Sequence, residues 1–315
     1  MNTIPQTAIV LQKLTKSFPG VRAVDHLTFE VRTGEIFGLV GPDGAGKTTT
    51  LRMLAGVMPP DEGSATVAGF DVGRDPEGAK HHLSYMPQRF ALYEDLTVDE
   101  NIRFYADLFG VHKAEREDRS AELLAAAGMS EFRKRLAGKL SGGMKQKLGL
   151  VCALIHHPQV ILLDEPTTGV DPVSRRDFWL ILYELVSQGV TILTSTAYLD
   201  EAERCHRVAL MHQGKLLFCD TPAQLKTRLG KGVLAVISPD PRRLREELEK
   251  AEGISSLLMT GDGVHVVVDN ASLRLPQFQA RLHAAGIPFD EIRQAAPSIE
   301  DLFVDAVSGQ GGRVA

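Results

Sequence analysis

The sequence has few cysteines and no continuous basic run. Its three cysteines, Cys152, Cys205 and Cys219, are odd in number, far apart and not spaced as metal-ligand pairs. We therefore expect reduced thiols and no disulfide, as is usual in the cytosol. The formal net charge is −5 over 315 residues, so the chain lacks the cationic surface that binding to a phosphate backbone requires. We expect no nucleic-acid partner.

Long hydrophobic runs are also missing. No apolar stretch approaches the roughly 18 residues that a membrane-spanning helix needs, and residues 1–6 show no basic segment followed by an apolar run. Any role at a membrane is therefore expected to come through partner subunits. The hydrophobic content of 43% and the charged content of 24% are ordinary for a soluble folded protein. The length suffices for about two domains.

Strand-like runs that lead into glycine or aspartate turns predict an α/β core. The runs are residues 9–11, Ile36–Val40, 160–163 and 190–193. The last two are apolar enough for strands buried on both faces, which is typical of a mostly parallel sheet. Between residues 92 and 158 the pattern is helical, so we expect a helical subdomain inserted in this core. Its last helix, from Met144 to Ile155, is the clearest, and Pro158 ends it.

The pattern changes after residue 230, where we place a domain boundary. Residues 231–304 predict an α+β accessory domain of order βαββαβ, the order of a ferredoxin-like fold. Its strands are predicted at 233–238, 254–259, 264–269 and 287–292, and its helices at 242–252 and 273–285. Residues 305–315 include a glycine-rich end and are predicted to be a flexible tail.

A phosphate-binding loop follows the strand Ile36–Val40 and opens a helix. The pattern Gly-x-x-x-x-Gly-Lys-Thr lets backbone N–H groups surround a phosphate at the start of the helix. Lys47 would reach the β- and γ-phosphate oxygens, and the Thr48 hydroxyl would bind Mg²⁺. The alternative is a glycine-rich turn with a surface lysine. The predicted ATP-binding residues of the loop are Gly41, Pro42, Asp43, Gly44, Ala45, Gly46, Lys47, Thr48 and Thr49.

Two consecutive carboxylates, Asp164 and Glu165, end the apolar strand at 160–163. Parallel strands place their carboxyl ends at one edge of the sheet, so both should lie beside the phosphate loop. We expect Asp164 to hold Mg²⁺ and Glu165 to polarise the attacking water. Taken alone, the pattern also fits an ordinary turn that caps a core strand.

Ser141, Gly142 and Gly143 open the predicted helix that starts near Met144. A hydroxyl, free amides and the helix dipole there favour an anion, although an ordinary capped helix is the simpler alternative. With Leu140 they form a Leu-Ser-Gly-Gly core, and here the chain resembles the ATP-binding-cassette (ABC) family. The resemblance implies that two subunits pack head to tail and that Ser141 of one meets the γ-phosphate held by the loop of the other.

The resemblance covers residues 9–229 and implies a phosphate-loop NTPase fold for the nucleotide-binding domain, residues 1–230. It gives roles to three further residues. Phe18 resembles the aromatic that stacks on adenine, and Gln88 the glutamine that contacts Mg²⁺ and relays site closure to the membrane partner. Asp171 resembles the residue that crosses the dimer interface. Taken alone, these residues fit a core or surface phenylalanine, a solvated glutamine and an Asp-Pro turn. Lys47, Glu165 and Gln88 are the expected catalytic residues.

Ala197 departs from the family pattern. Family members normally have a histidine here that bonds the γ-phosphate and braces the catalytic glutamate, and His206 and His212 lie too far along the chain to replace it. A lost hydrogen bond to a charged group is worth about 1.5 to 3 kcal/mol, hence roughly a ten- to hundredfold slower reaction. We expect ATP binding to survive better than hydrolysis.

Three segments, 197–204, 214–222 and 297–303, resemble the ATPase subunits of drug-resistance-type exporters, whose membrane subunits are separate proteins. The resemblance implies ATP and Mg²⁺ as cofactors, a second nucleotide-binding subunit, like or unlike, and integral membrane permease subunits. The chain would then be cytoplasmic and peripheral on the inner face of the cell membrane.

Two functions compete. The first is an ATPase motor that drives export, and the second is a partner that binds ATP but hydrolyses it poorly because of Ala197. A DNA-repair or translation-associated cassette protein is a third possibility. Such proteins have long coiled coils or tandem cassettes, which this sequence lacks.

Overall fold

The computed structural model describes residues 7–89 and 91–309. Contacts divide the chain into two compact units, Met1–Cys219 and Asp220–Ala315. Strands of the first unit are β1 (Thr7–Phe18), β2 (Val21–Arg32), β3 (Ile36–Val40), β4 (Glu62–Val67), β5 (Phe70–Asp71), β6 (Leu83–Met86), β7 (Val160–Asp164), β8 (Thr191–Thr196), β9 (Arg207–His212) and β10 (Lys215–Asp220). Its helices are α1 (Lys47–Leu54), α2 (Pro76–Lys80), α3 (Val98–Leu108), α4 (Lys113–Ala126), α5 (Gly142–Leu154), α6 (Pro172–Ser187) and α7 (Leu199–Ala202).

A six-stranded sheet of order β10-β9-β3-β8-β7-β6 forms the centre of the first unit. The pairs β6–β7, β7–β8, β3–β8 and β3–β9 are all parallel, which confirms the predicted mostly parallel sheet. Every residue of β3, β7 and β8 is buried. The carboxyl ends of these three strands therefore form one edge, from which the candidate site is built. A second, four-stranded sheet has the order β2-β1-β4-β5.

The described part of residues 92–158 contains α3, α4, α5 and two short 3₁₀ helices, at Ser130–Phe132 and Ala137–Lys139. This agrees with the predicted helical insertion. Helix α5 begins at Gly142, and the Ser141 hydroxyl caps it by accepting a hydrogen bond from the Met144 amide at 3.3 Å. None of the described helices combines the length and the apolar character that crossing a membrane would require.

The second unit contains α8 (Pro222–Arg228), β11 (Gly232–Ile237), α9 (Pro241–Leu248), β12 (Ile254–Met259), β13 (Gly263–Val268), α10 (Ala271–Ala284), β14 (Glu291–Ala295) and α11 (Ile299–Gly309). Its sheet has the order β12-β13-β11-β14 with antiparallel neighbours. This is the arrangement expected of the predicted βαββαβ fold. The predicted division after residue 230 lies beyond α8, which contacts α11 within this unit.

Two predictions for the second unit differ from the structure. The strand expected at 287–292 lies at Glu291–Ala295, because the Ile287 amide instead closes the end of the preceding helix on the Leu282 carbonyl at 3.0 Å. The flexible tail expected from residue 305 is helical through Gly309, where α11 buries Val304 and Val307. Residues 310–315 of that predicted tail lie outside the described residues.

Candidate nucleotide site

The phosphate loop joins β3 to α1 and leaves the start of the helix open. The cap residue Gly46 has a φ of 100°, and no side chain caps α1. A Cβ on Gly46 would collide with the Ala23 carbonyl, so only glycine fits this close approach. The amides of the first turn of α1 are thus free to bind an anion. In the rest of the loop, Pro42, Asp43 and Gly44 are exposed, Gly41 and Ala45 are buried, and Thr48 and Thr49 are half-buried.

Lys47 is the buried cation of the site, with only 4% of its side chain exposed. Its ammonium donates to the carbonyls of Gly41 at 2.8 Å and Pro42 at 3.1 Å. It also lies 3.1 Å from the Glu165 carboxylate. The ammonium is therefore held inside the loop, where a phosphate could compete for it.

Asp164 is the acceptor on which three hydroxyls converge. Oδ1 accepts from Thr48 at 3.0 Å and from Ser195 at 2.7 Å, and Oδ2 accepts from the Tyr85 hydroxyl at 3.2 Å. Burial, together with the Asp164 charge, raises the pKa of Tyr85 to about 12, so this hydroxyl stays a donor. The structure thus brings together Thr48 and Asp164, two of the three residues expected to bind Mg²⁺, whereas the third, Gln88, donates to Glu165.

Glu165 sits on the loop after β7 with a φ of 47°, an uncommon value for a residue other than glycine. Its amide donates to the Ser195 hydroxyl at 3.0 Å, and its Oε2 accepts from Gln88 Nε2 at 3.1 Å. The predicted catalytic residues Lys47, Gln88 and Glu165 therefore meet at one point. Backbone strain of this kind is often found at functional sites.

Sequence reasoning missed Tyr85 and Ser195 as site residues. Tyr85 belongs to the run Tyr85-Met-Pro that precedes Gln88, and Ser195 lies near the end of β8. The one feature that could have indicated them is their position, because both lie near the carboxyl ends of the strands that pair with β7 beside Asp164.

The remaining predicted residues lie at the starts of α5 and α6 and at the end of β1. Ser141 and Gly142 are exposed at the start of α5, and Gly143 is buried against Ser174. Asp171 is exposed and caps α6, and the hydrogen bond from the Ser174 amide lowers the pKa of its carboxyl. Ser141 therefore caps a helix, as its simpler alternative expected, and Asp171 also caps a helix instead of forming only an Asp-Pro turn. Phe18 ends β1 and is 40% exposed.

Ala197 follows β8 directly and is exposed. His206, one of the two histidines nearest in sequence, is engaged elsewhere, because its Nδ1 accepts from the Ile36 amide at 2.9 Å. Ile36 begins β3, whereas the phosphate loop follows the other end of that strand. His206 therefore does not replace the absent histidine.

The donor set suits an oxygen-preferring cation that shares its coordination with phosphate and water. Within the described ranges there is no group of three or more His, Cys, Asp or Glu side chains able to hold a metal. Mg²⁺ in phosphate-transfer sites is bound through one or two protein oxygens plus substrate phosphates. Thr48 and Asp164, 3.0 Å apart, fit that pattern.

Comparisons with known proteins show the family to which the chain belongs. The model of the family described as "ABC transporter" matches residues 24–168. The chain is 46% identical over 308 residues to the "Probable multidrug ABC transporter ATP-binding protein YbhF" of Escherichia coli strain K12, covering 96% of this chain but 52% of that protein. It is 40% identical to the "Daunorubicin/doxorubicin resistance ATP-binding protein DrrA" of Streptomyces peucetius, covering 80% of this chain and 75% of DrrA. The chain thus spans about half the length of YbhF.

A solved structure described as "Structure of ATP binding subunit of ABC transporter" superposes with a TM-score of 0.65 at 31% identity, covering 71% of this chain and 94% of that one. A second, "Dimeric structure of a post-hydrolysis state of the ATP-binding cassette MJ0796 bound to ADP and Pi", has a TM-score of 0.62 at 23% identity and covers 68% of this chain and 98% of that one. The second likeness concerns the fold alone.

Proposed function

Because this chain belongs to the ABC transporter family, we propose that it is an ATP-hydrolysing subunit that powers export through separate membrane subunits. One observation carries the proposal. Lys47 from the phosphate loop, Glu165 from the end of β7 and Gln88 from the segment after β6 meet within hydrogen-bonding distance. Nucleotide-driven motion needs a cation to hold phosphate, here Lys47, and a base to activate water, here Glu165. It also needs a residue that relays closure of the site to a partner, the role that the family resemblance implies for Gln88.

The phosphates of ATP would lie at the open start of α1, held by the loop amides and by Lys47. Thr48 and Asp164 would hold Mg²⁺, which when bound neutralises charge on the β- and γ-phosphates. Phe18, exposed at the end of β1, is available to stack on the adenine.

Glu165 is the residue proposed to orient and deprotonate the attacking water. Its side chain is 12% exposed, so it is accessible from the site yet shielded from bulk solvent. Its hydrogen bond from Gln88 keeps the carboxylate oriented, and the Glu165 amide donates to both the hydroxyl and the carbonyl of Ser195, which holds its backbone against β8. A general base of this kind must lie within hydrogen-bond reach of the water it activates.

The site is proposed to be composite. Ser141 and Gly142 are exposed at the start of α5, and Asp171 is exposed at the start of α6. Exposed helix starts favour a further anion or a partner chain, as in the head-to-tail packing that the family resemblance implies. A second nucleotide-binding subunit, of this or another chain, would then close each site.

The contact with a membrane subunit is proposed near Gln88. A groove of about 430 Å³ lies beside β6 and is lined partly by Tyr85, Leu108 and Phe109. Leu108 is 66% exposed and Phe109 37%, an apolar surface that suits a protein partner. Because Tyr85 lines this groove and also bonds Asp164, a partner seated there could sense the nucleotide. We propose that a chain in this role lies on the cytoplasmic face of a membrane.

The cargo is proposed to be a drug or other hydrophobic compound. This rests on the names of the relatives, one described as multidrug and one as a daunorubicin/doxorubicin resistance protein. Co-purification from detergent-solubilised membranes tests the transporter assignment. An integral membrane protein should come with the chain, and its absence would count against the assignment.

A second candidate function is a partner that binds ATP but hydrolyses it poorly, which Ala197 favours. Steady-state ATPase activity of the purified chain, measured beside Glu165→Gln, separates the two. Turnover that depends on Glu165 supports the motor. Tight ATP binding with no Glu165-dependent turnover supports the second function.

A further inference from the structure

Glu201 is a buried carboxylate that the proposed ATPase reaction leaves without a role. It lies on α7, and 1% of the residue is exposed. Removing a carboxylate from water costs several kcal/mol unless partners compensate, and an apolar side chain of similar size would often stabilise the fold as well. A buried carboxylate at this position therefore calls for a more specific explanation than stability.

Two hydrogen-bond donors and one cation surround one oxygen, Oε1, of Glu201. The Thr167 hydroxyl donates at 2.6 Å, the Trp179 indole N–H donates at 3.4 Å, and Arg175 Nε lies 3.7 Å away. Thr167 is itself 1% exposed. We call Thr167, Arg175, Trp179 and Glu201 the Glu201 clamp.

The clamp joins two segments that leave neighbouring parallel strands. Thr167 lies two residues after Glu165 on the segment that follows β7, whereas Glu201 lies four residues after Ala197 on the segment that follows β8. The charge-assisted bond between Thr167 and Glu201 therefore fixes one segment against the other.

Arg175 adds a second link between α6 and the segment after β8. Its guanidinium lies 4.6 Å from the centre of the Tyr198 ring, directly after Ala197. Its Nη1 is 3.9 Å from Asp200. The exposed start of the segment is thus held by a cation–π contact while its inner end is held by Glu201.

Resting on the proposed ATPase function, we propose that Glu201 is a positioning residue. Through Thr167 it holds the segment that begins with Glu165 against the segment that carries Ala197. A histidine at position 197 would brace Glu165 by direct contact, and the clamp fixes the same pair of segments from the buried side. It acts through the backbone between Glu165 and Thr167 and touches no reacting atom.

The test compares Thr167→Val, which removes the hydroxyl at nearly constant shape, with Thr167→Ser, which keeps it. Single-turnover hydrolysis and binding of a fluorescent ATP analogue are measured for both. Because small displacements of a catalytic group are costly, Thr167→Val should lower the hydrolysis rate about tenfold, and Thr167→Ser should restore most of it. ATP affinity should stay within about twofold of wild type, since the ground-state contacts with the nucleotide are unchanged.

Thr191→Val is the matched control. Thr191 is also 1% exposed, and its hydroxyl accepts one hydrogen bond, from the Gly34 amide at 3.0 Å, at the opposite end of β8. It should lose comparable stability and keep its hydrolysis rate. Circular dichroism in the far ultraviolet checks that each variant is folded, because the emission of Trp179, itself part of the clamp, would respond to the clamp directly.

Glu201→Gln tests the carboxylate itself, since a glutamine oxygen still accepts from Thr167 but no longer attracts Arg175. The double variant with Thr167→Val should be no slower than the slower single variant, because both act through one contact. Thr167→Val with unchanged hydrolysis, or Thr191→Val with an equal loss, would overturn the positioning role. If Glu165→Gln leaves hydrolysis unchanged, the proposed ATPase function fails instead, and with it the inference.

Discussion

The Lys47 ammonium and the Glu165 carboxylate lie 3.1 Å apart, with 4% and 12% of their side chains exposed. The cation that should hold phosphate is thus paired with the carboxylate that should activate water. A γ-phosphate entering the loop competes for the same ammonium and repels the same carboxylate. We therefore expect binding of ATP to be coupled to the position of Glu165.

Glu165→Gln should tighten ATP binding while it abolishes hydrolysis. The neutral amide competes less for Lys47 and does not repel the γ-phosphate, a change we put at about tenfold in affinity, or about 1.4 kcal/mol. ADP, which lacks the γ-phosphate, should gain less. Titration with fluorescent ATP and ADP analogues measures both affinities. Equal changes for the two nucleotides would contradict a competition centred on the γ-phosphate.

Ser195→Ala should impair hydrolysis through the backbone of Glu165. The hydroxyl donates to Asp164 at 2.7 Å and accepts from the Glu165 amide at 3.0 Å. Its loss removes one donor from the buried Asp164 carboxylate and leaves the Glu165 amide only its weaker bond to the Ser195 carbonyl at 3.2 Å. We expect about 1 to 3 kcal/mol of lost stability and at least a tenfold slower reaction. Ser238→Ala is the control and should leave hydrolysis unchanged. Ser238 and the Pro288 carbonyl to which its hydroxyl donates both belong to the second unit. Urea denaturation and ATPase assays measure these effects.

The phosphate loop and the Asp164–Glu165 pair could be predicted from the sequence because their chemistry depends on local spacing. Loop glycines, the following lysine and two carboxylates after an apolar strand are all visible along the chain. The contacts made by Tyr85 and Ser195 were not visible, because strand order decides which strand ends adjoin Asp164. The strand order, with β8 between β3 and β7, cannot be predicted from any single segment of the sequence.

Burial of polar residues was also beyond sequence reasoning. Glu201 lies in the charged run Asp200-Glu201-Ala-Glu203, which by itself is typical of a solvated helix face. Its burial depends on Trp179 and Arg175 of α6. The displaced strand β14 has a similar cause, because apolar periodicity does not reveal that Ile287 packs at a helix end rather than pairing with β11.

Gly46→Ala should be far more damaging than Gly44→Ala. Both glycines have positive φ, 100° and 77°, but a Cβ on Gly46 meets the Ala23 carbonyl whereas a Cβ on Gly44 meets nothing within 4 Å. Gly44→Ala should cost about 1 kcal/mol of stability from strain alone, and Gly46→Ala about 3 kcal/mol or more, with loss of ATP binding. Denaturant titration of the pair measures the difference. Equal losses would show that backbone strain, not the close approach, dominates.

Ala197→His should raise the hydrolysis rate by about ten- to hundredfold if the absent histidine limits the reaction. Position 197 is exposed, so the larger side chain should not disturb the core. ATP affinity should change little. Ala197→Phe, which adds a ring without hydrogen-bonding nitrogens, is the matched control. An unchanged rate in Ala197→His would mean that the absent histidine does not limit hydrolysis.

Protection of α11 against hydrogen exchange should decrease as the pH rises, because of the pair formed by half-buried His265 and buried Asp301. Asp301 bonds His265 at 3.2 Å, and this bond raises the pKa of His265 above 6.5. The charge of nearby Asp262 also raises that pKa, whereas burial and the charge of Arg293 lower it. Burial would raise the pKa of Asp301, but bonds from His265 and Ser298 lower it below 3.8. The pair therefore stabilises α11 between those values and weakens as His265 deprotonates, by at most about 1 kcal/mol given its exposure. Hydrogen exchange of α11 measures this loss, and His265→Asn should abolish the pH dependence; an unchanged slope would assign it elsewhere.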